Sequence, residues 1–311
     1  MSASFNICFN KNRVEKFKNG ESNYKTYSSK WNGNSAAPFD DYIIREGEAV
    51  GQMYGYITGG MYTFDDFDYI GTGTYPYRLK GDTDGSKTEA AASLIGAKYF
   101  GPGSLKLVDK DGNIATSTDA KTVIGNANPD LIGGFNLTAR YKGFDLSAFF
   151  NFSIGNDVYN ANKIDNSCYS GSRKYNNLVE EMKNRFTYID PATGYLAYND
   201  PVRLAEINKN ATIWSPYMTT AVLHSWAVED GSFLRFNNLT LGYTFPKRWV
   251  KKLGLTNLRI YGTVYNVCVI TGYSGFDPEV STRNSTAMTP GVDYSAYPKS
   301  RSFIGGVNVS F

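Results

Sequence analysis

Hydrophobic and polar residues alternate one by one over residues 135–152, and this alternation is the clearest structural signal in the chain. Side chains two positions apart lie on the same face of a β-strand, so a period of two predicts a sheet with one apolar face. The apolar positions are Phe135, Leu137, Ala139, Tyr141, Phe144, Leu146, Ala148, Phe150 and Phe152. Phe149 is the one apolar residue at an otherwise polar position. The Lys142-Gly143 pair between the two runs predicts a tight hairpin.

Four further segments show the same period of two, namely residues 3–9, 239–245, 258–264 and 303–311. A weaker strand, interrupted by glycines, is predicted over residues 49–62. Strands of about ten residues are normal for a transmembrane barrel, and we count about eight strands in the chain. The sequence therefore predicts an all-β, antiparallel fold.

The connections between these strands are unequal in length. The turn at Lys142-Gly143 is minimal and residues 246–256 form a short connection, whereas residues 155–222 and 271–300 are long and polar. Short turns at one end of the sheet and long loops at the other are typical of outer-membrane barrels. From Phe135 onwards the strands alternate consistently between the two ends, and the pattern leaves the direction of the chain before Pro129 unassigned.

A soluble antiparallel sandwich alternates in the same way, so the pattern alone leaves two fold classes open. Three features favour a transmembrane β-barrel segment with long extracellular loops. The polar partners in the strands are small or uncharged, and aromatic residues such as Tyr141 and Phe144 collect at strand ends, where barrels carry aromatic girdles. The chain also stops on an alternating strand. The residues of that strand that we interpret as a signal to the barrel assembly machinery are Phe303, Val307, Val309 and Phe311.

Composition and motifs narrow the function further. Tyr (24) and Phe (19) supply most of the aromatic residues, as strands prefer, and a net charge of +3 gives no reason to expect nucleic acid as a partner. Three distant cysteines and the single His224 indicate neither a disulfide framework nor a multi-histidine metal site. The chain contains no motif of a hydrolase, a metalloprotease or a nucleotide-binding enzyme, so we expect no catalysis.

Two sets of residues are candidate sites. Asp109, Asp111 and Asn113 lie in the run DKDGN, which resembles the start of a calcium loop, although the same residues also build an ordinary turn. Aromatic residues in the loops offer flat faces for stacking on sugar rings or for contact with a partner, and the alternative is that they pack the loop on itself. These aromatic candidates are Tyr159, Tyr169, Tyr175, Tyr188, Tyr195, Trp214 and Tyr217.

Several stretches, in order along the chain, resemble the SusC/RagA family of TonB-dependent outer-membrane transporters. They are residues 123–160, residues 229–266, the run YSGFDPEVS at residues 273–281 and residues 297–311, with a looser likeness at residues 45–62. Residues 262–273 depart from the family pattern. The resemblance implies a barrel of roughly 22 strands with a plug in its lumen. It also implies a SusD-like surface lipoprotein as partner, energy from the TonB complex, and import of oligosaccharides or peptides across the outer membrane of a Bacteroidetes-like bacterium.

The resemblance also bears on domain organisation. Residues 1–311 contain no signal peptide, TonB box or plug sequence, so we expect the C-terminal portion of a larger barrel, inactive alone. The abundant tyrosines favour a glycan over a peptide as cargo. Two alternatives are a small passive pore formed by this chain and a self-contained soluble β-sandwich that binds carbohydrate. No cofactor is expected other than calcium at the DKDGN run.

Overall fold

The computed structural model describes residues 1–18, 22–31, 40–169, 177–282 and 287–311. Its strands are Ser2–Cys8 (β1), Tyr24–Tyr27 (β2), Tyr42–Arg45 (β3), Gln52–Gly55 (β4), Ile57–Met61 (β5), Phe67–Tyr69 (β6), Tyr77–Leu79 (β7), Leu105–Val108 (β8), Thr122–Asn126 (β9), Leu131–Tyr141 (β10), Phe144–Ile154 (β11), Asp157–Asn160 (β12), Val228–Asp230 (β13), Phe233–Thr244 (β14), Asn257–Thr271 (β15), Val292–Asp293 (β16) and Ser302–Ser310 (β17). Its α-helices are Ser86–Ile95 (α1), Ala161–Asp165 (α2), Pro201–Ile207 (α3) and Lys247–Val250 (α4). None of the helices within the described ranges is long and apolar enough to cross a membrane.

One antiparallel sheet of long strands dominates the fold, in the order β1-β10-β11-β14-β15-β17. This confirms the all-β antiparallel prediction. The described part of this sheet has six strands, whereas about eight were expected. Residues 49–62 account for part of the difference because they form β4 and β5, which belong to two smaller sheets. Gly51 and Gly60 have φ of 92° and 83° there, so the chain bends where a long strand would run straight.

The hairpin between β10 and β11 has the predicted turn. Tyr141 pairs with Phe144, and the two residues between them, Lys142 and Gly143, have φ of 46° and 91°. Positive φ at both central positions defines a type I′ turn, whose twist matches that of the flanking strands. The turn fixes the register, and the register determines which side chains share a face.

The connections sort to the two ends of the sheet. Residues 9–130, 155–232 and 272–301 join strands at one end, while residues 142–143 and 245–256 join them at the other. Since β1 is antiparallel to β10, β1 runs towards the long-loop end, which settles the direction that the sequence pattern left unassigned. The first of these connections was not expected as a loop of this length.

The three long connections pack together into one body, which we call the loop unit. It contains the small sheets β2-β3-β4-β9, β13-β12-β16, β5-β8 and β6-β7, and the helices α1, α2 and α3. Its core is rich in fully buried aromatic side chains. These include Trp31, Tyr42, Tyr56, Tyr62, Tyr77, Phe100, Tyr159 and Tyr188. The indole Nε1 of Trp31 donates a hydrogen bond of 2.7 Å to the Tyr159 hydroxyl, which joins the first connection to the second.

Candidate functional site

The outward face of the long sheet is apolar from edge to edge. Phe5 pairs with Phe135, Phe135 with Phe150, and Phe150 with Phe236, so one row of rings crosses four strands. The Phe150 ring stacks on Phe135 and Phe236 with centroids 4.5 Å and 4.3 Å apart. At the two edges Phe5 is 64% exposed and Phe303 is 75% exposed, so the described residues place no second layer over this face. A broad exposed apolar face requires an apolar neighbour, and acyl chains meet that requirement.

The opposite face of the same sheet is polar. Thr240 and Thr263 share a hydrogen bond of 2.9 Å between their hydroxyl oxygens on neighbouring strands. Arg259 binds Asp145 through two hydrogen bonds, from Nε to Oδ1 at 2.9 Å and from Nη2 to Oδ2 at 2.6 Å. Small hydroxyl and amide side chains fill most remaining positions of this face, which suits a water-filled lumen. The alternation predicted from the sequence therefore separates an apolar side from a wet side.

A buried ionic cluster holds the third long connection against the polar face. The Arg235 guanidinium, only 3% exposed, donates through Nη2 to Asp277 Oδ1 at 2.6 Å and through Nε to Glu279 Oε2 at 2.7 Å. Lys299 Nζ also reaches Glu279 Oε2 at 2.7 Å. Burial alone raises the pKa of Glu279, but the hydrogen bond and charge of Lys299, together with Arg235, outweigh it and hold that pKa below its usual value.

Sequence reasoning did not find this cluster. Its signal was available, since Arg235 is the one charged residue within β14 and the run FDPEV contains two closely spaced acids. The hydrogen bond of 2.9 Å from Arg235 Nη1 to Asn266 Oδ1 adds a second strand, β15, to the same anchor.

The aromatic candidates of the loops separate by burial. Tyr159, Tyr188 and Trp214 are buried in the loop unit, where the Tyr188 hydroxyl donates to the Pro102 carbonyl at 2.9 Å. Their burial corrects the expectation that they face a ligand in this arrangement, because the rings pack against other aromatic side chains. Tyr217 is partly buried against the same core.

Two of the six aromatic candidates that the structure describes are classed as exposed. Tyr169 is 41% exposed and Tyr195 is 79% exposed. Tyr175 lies outside the described residues. A role of Tyr169, Tyr195 and Tyr217 in contacting a ligand or a partner stays a prediction.

The DKDGN run forms a closed turn. Asp109 Oδ1 accepts hydrogen bonds from the backbone nitrogens of Asp111 and Asn113 at 2.9 Å and 2.8 Å, and the Asn113 amide reaches the other carboxylate oxygen at 3.1 Å. These bonds lower the pKa of Asp109, with the Asn113 side chain as the largest cause. Across the described ranges, no group of three or more His, Cys, Asp or Glu residues is arranged to hold a metal ion. Calcium binding by Asp109, Asp111 and Asn113 stays a prediction.

The last strand carries the residues interpreted as an assembly signal. Phe303 and Val307 pair with Val264 and Ile260 of β15, which places them on the outward apolar face, and Val309 follows on the same side. All three side chains and Phe311 are exposed. Their recognition by the assembly machinery stays a prediction.

These features define a class of protein. An antiparallel sheet with an exposed apolar face, a polar opposite face, tight turns at one end and long loops at the other is a wall segment of a transmembrane β-barrel.

Comparison with known proteins gives the family. The chain is 31% identical to TonB-dependent receptor P3 of Formosa agariphila, over 100% of this chain and 26% of that receptor. It is 28% identical to TonB-dependent receptor SusC of Bacteroides thetaiotaomicron, over 66% of this chain and 17% of SusC.

Solved structures agree on the fold. The RagAB peptide importer in its open-open state matches 99% of this chain and 26% of the importer chain, with a TM-score of 0.65 and 20% identity. No protein-family model matches the sequence. The chain belongs to the SusC/RagA family of TonB-dependent receptors, as its motifs predicted. It spans about a quarter of the length of the first curated relatives it matches.

Proposed function

We propose that this chain forms part of a TonB-dependent transporter in the outer membrane of a Bacteroidetes-like bacterium. The observation that supports this most directly is the exposed apolar face that runs across all six strands from Phe5 to Phe303, opposite a polar face. In a bilayer the first face contacts lipid and the second lines the lumen. Relatives in Formosa and Bacteroides that are named TonB-dependent receptors support the same assignment.

The transported molecules, on this proposal, are oligosaccharides or peptides that enter through a mouth formed by the loop unit. A SusD-like surface lipoprotein covers the mouth, and the TonB complex supplies energy through parts of the receptor outside this chain. The relatives named SusC and RagAB support a partnership of this kind. No step of covalent chemistry is assigned to the chain, since the relatives are named as receptors and importers rather than enzymes.

The proposal is tested by tagging the protein at its native locus and fractionating the cells. We expect it in the outer-membrane fraction, with a gel mobility that changes on heating, as folded barrels show, and with the lipoprotein co-purifying. We also expect uptake of its cargo to stop when the proton gradient is collapsed. Recovery of a monomer that is soluble without detergent would support a soluble carbohydrate-binding sandwich instead. Uptake that continues without the gradient would support a passive pore.

A further inference from the structure

Two buried oxygen acceptors lie side by side where the second and third long connections meet. Asn160 ends β12, Asp293 ends β16, and the two residues pair in a parallel bridge, so their side chains lie on one face of the small sheet. They are 3% and 2% exposed. Among the residues that the structure describes, neither Asn160 Oδ1 nor Asp293 Oδ1 has a hydrogen-bond partner. Buried polar atoms are normally paired, so these two oxygens require an explanation.

Hydrogen bonds to the other half of each side chain fix the direction of these oxygens. Asn160 Nδ2 donates to Glu229 Oε1 at 3.0 Å, which turns the amide oxygen to the opposite side. The Tyr273 hydroxyl donates to Asp293 Oδ2 at 2.6 Å and leaves Oδ1 without a donor. Two acceptors cannot bind each other, so only a hydrogen-bond donor or a cation can satisfy both.

The carboxylate of Asp293 also lacks a counter-charge. Across the described ranges it forms no ion pair, and its bond from Tyr273 is to a neutral hydroxyl. Lys163, which lies nearby, is 3.4 Å from Glu229 Oε1 and places its Nζ 4.2 Å from the centre of the Trp226 ring. A water molecule would supply hydrogen bonds but leave a buried charge unpaired, which is costly. The unpaired charge therefore favours a cation over water.

Asn160 and Asp293 line a cleft of about 490 Å³ that carries further acids. Glu180 and Glu181 line the same cleft and are exposed. Clustered carboxylates raise the local concentration of cations. The two unpaired oxygens are already buried by residues of this chain, and further parts of a receptor could only bury them more. The site therefore does not depend on an open surface.

The spacing and the chemistry of the two oxygens favour calcium. Neighbouring strands lie about 4.8 Å apart. Calcium binds oxygen at about 2.3–2.6 Å, so one ion bridges two oxygens up to about 5 Å apart, whereas magnesium, at about 2.1 Å, reaches only about 4.2 Å. Such a site requires no group of three acids, because calcium accepts amide oxygens and water alongside a carboxylate.

We propose that Asn160 Oδ1 and Asp293 Oδ1 bind one calcium ion, which joins the second long connection to the third. Water completes the coordination shell from the side of the cleft. The ion neutralises the buried charge of Asp293 and gives the Asn160 amide oxygen its partner. This site is separate from the DKDGN run, which lies in the first connection.

The test uses the receptor purified in detergent and stripped with a calcium chelator. It is then titrated with calcium by calorimetry and with terbium by luminescence, since terbium replaces calcium at oxygen sites and emits when a tyrosine beside it is excited. We expect D293N, which keeps the shape of the side chain, to bind calcium at least about tenfold more weakly than the unchanged receptor. The matched control E206Q removes a carboxylate charge from α3 elsewhere in the loop unit and should bind calcium like the unchanged receptor.

Two further variants locate the ion. Y273F removes the phenol that contacts Asp293, so it should lose most of the terbium emission while keeping the heat-modifiable band. D111N alters the DKDGN run and should leave calcium affinity and terbium emission unchanged.

Three results would overturn the site: equal calcium affinity of D293N and the unchanged receptor, loss of binding in D111N but not in D293N, and no calcium binding at all. If D293N does not fold, Y273F decides, because emission equal to that of the unchanged receptor would place the ion elsewhere. The titration involves no transport, so its result is independent of the proposed function, which cell fractionation and uptake test separately.

Discussion

The guanidinium of Arg235 and the carboxylate of Asp277 form an ion pair of 2.6 Å in which both side chains are almost fully buried. Arg235 belongs to a strand of the barrel wall and Asp277 to the third long connection, so this contact ties the loop unit to the sheet. Breaking a buried pair by removing one partner leaves an uncompensated charge away from water. The position of the third long connection therefore depends on the Arg235 side chain.

We expect R235M to destabilise the protein by about 3–5 kcal/mol, because Asp277 and Glu279 would keep their charges with Lys299 as their remaining cation. Stability is measured as the urea concentration at which half of the folded, heat-modifiable band is lost. The rate of proteolysis within residues 273–282 is measured alongside it. The control is R259M, which breaks the more exposed pair with Asp145 and should cost about 1 kcal/mol or less. Equal effects of the two variants would contradict the anchoring role of Arg235.

Assignment of the two faces predicts opposite results for neighbouring substitutions in β14. Leu239 pairs with Ala148 and Val264 on the outward face, whereas Thr240 pairs with Ser147 and Thr263 on the polar face. L239R places a charge against lipid near the middle of the strand, at a cost of about 2–4 kcal/mol. T240R places the same charge in the lumen. We expect L239R to reduce the amount of folded protein in the outer membrane and T240R to leave most of it, with levels read from heat-modifiable gel bands. If T240R lowered the amount of folded protein more than L239R, the assignment of the lipid-facing and lumen-facing sides would be wrong.

The hairpin at Lys142 and Gly143 gives a local test of the register. Gly143 has φ of 91°, and an added Cβ would stand 2.7 Å from the Thr244 carbonyl oxygen. G143V should therefore cost about 1–3 kcal/mol through backbone strain and slow refolding into detergent micelles. K142N retains a residue that tolerates positive φ and should refold at the rate of the unchanged protein. If G143V refolds as fast as K142N, the turn does not limit assembly.

The one histidine predicts an acid dependence of the loop unit. Burial lowers the pKa of His224 to about 3, and Lys163 acts in the same direction. An unfolded histidine has a pKa of about 6.5, so between that pH and about 3 the unfolded state binds a proton that the folded state does not. The contribution of His224 to stability is complete above pH 6.5 and is lost as the pH falls through this range.

The variant H224N isolates this effect, because asparagine can keep the hydrogen bond that His224 Nδ1 shares with the Thr58 hydroxyl. Other carboxylates in the unit also titrate in acid, so the quantity to measure is the difference between the unchanged protein and H224N. Protease resistance of the loop unit, followed from pH 7 to pH 4, should fall more steeply in the unchanged protein. Parallel curves would show that His224 is not buried as a neutral ring.

The long strands could be predicted because their information is local. A period of two over about ten residues determines on which face of the sheet each side chain lies. The pair Lys142-Gly143 indicates where the chain reverses direction. Residues 3–9, 135–152, 239–245, 258–264 and 303–311 all fall in or overlap strands of the long sheet. The family motifs lie in the same segments.

The loop unit could not be predicted in this way because its order depends on distant contacts. Residues 49–62 have the composition of a strand, but Tyr56 forms a backbone bridge with His224 and Tyr62 packs its ring against Phe100, and both partners are distant in sequence. The burial of Tyr159, Tyr188 and Trp214 escaped prediction for the same reason, since composition does not distinguish a ring that packs a core from a ring that meets a ligand. Tyr188 and Tyr195 lie seven positions apart, and one is buried while the other is exposed.

The core of the loop unit is built from three separate connections, which constrains the order in which the protein folds and inserts. Trp31, Tyr159 and Val292 lie in different connections, and strands of the wall separate them along the chain. This core cannot close until all three connections have crossed to the same side of the membrane. The wall strands must therefore be inserted before the core of the loop unit closes. A folded loop unit thus indicates that insertion of this part of the wall is complete.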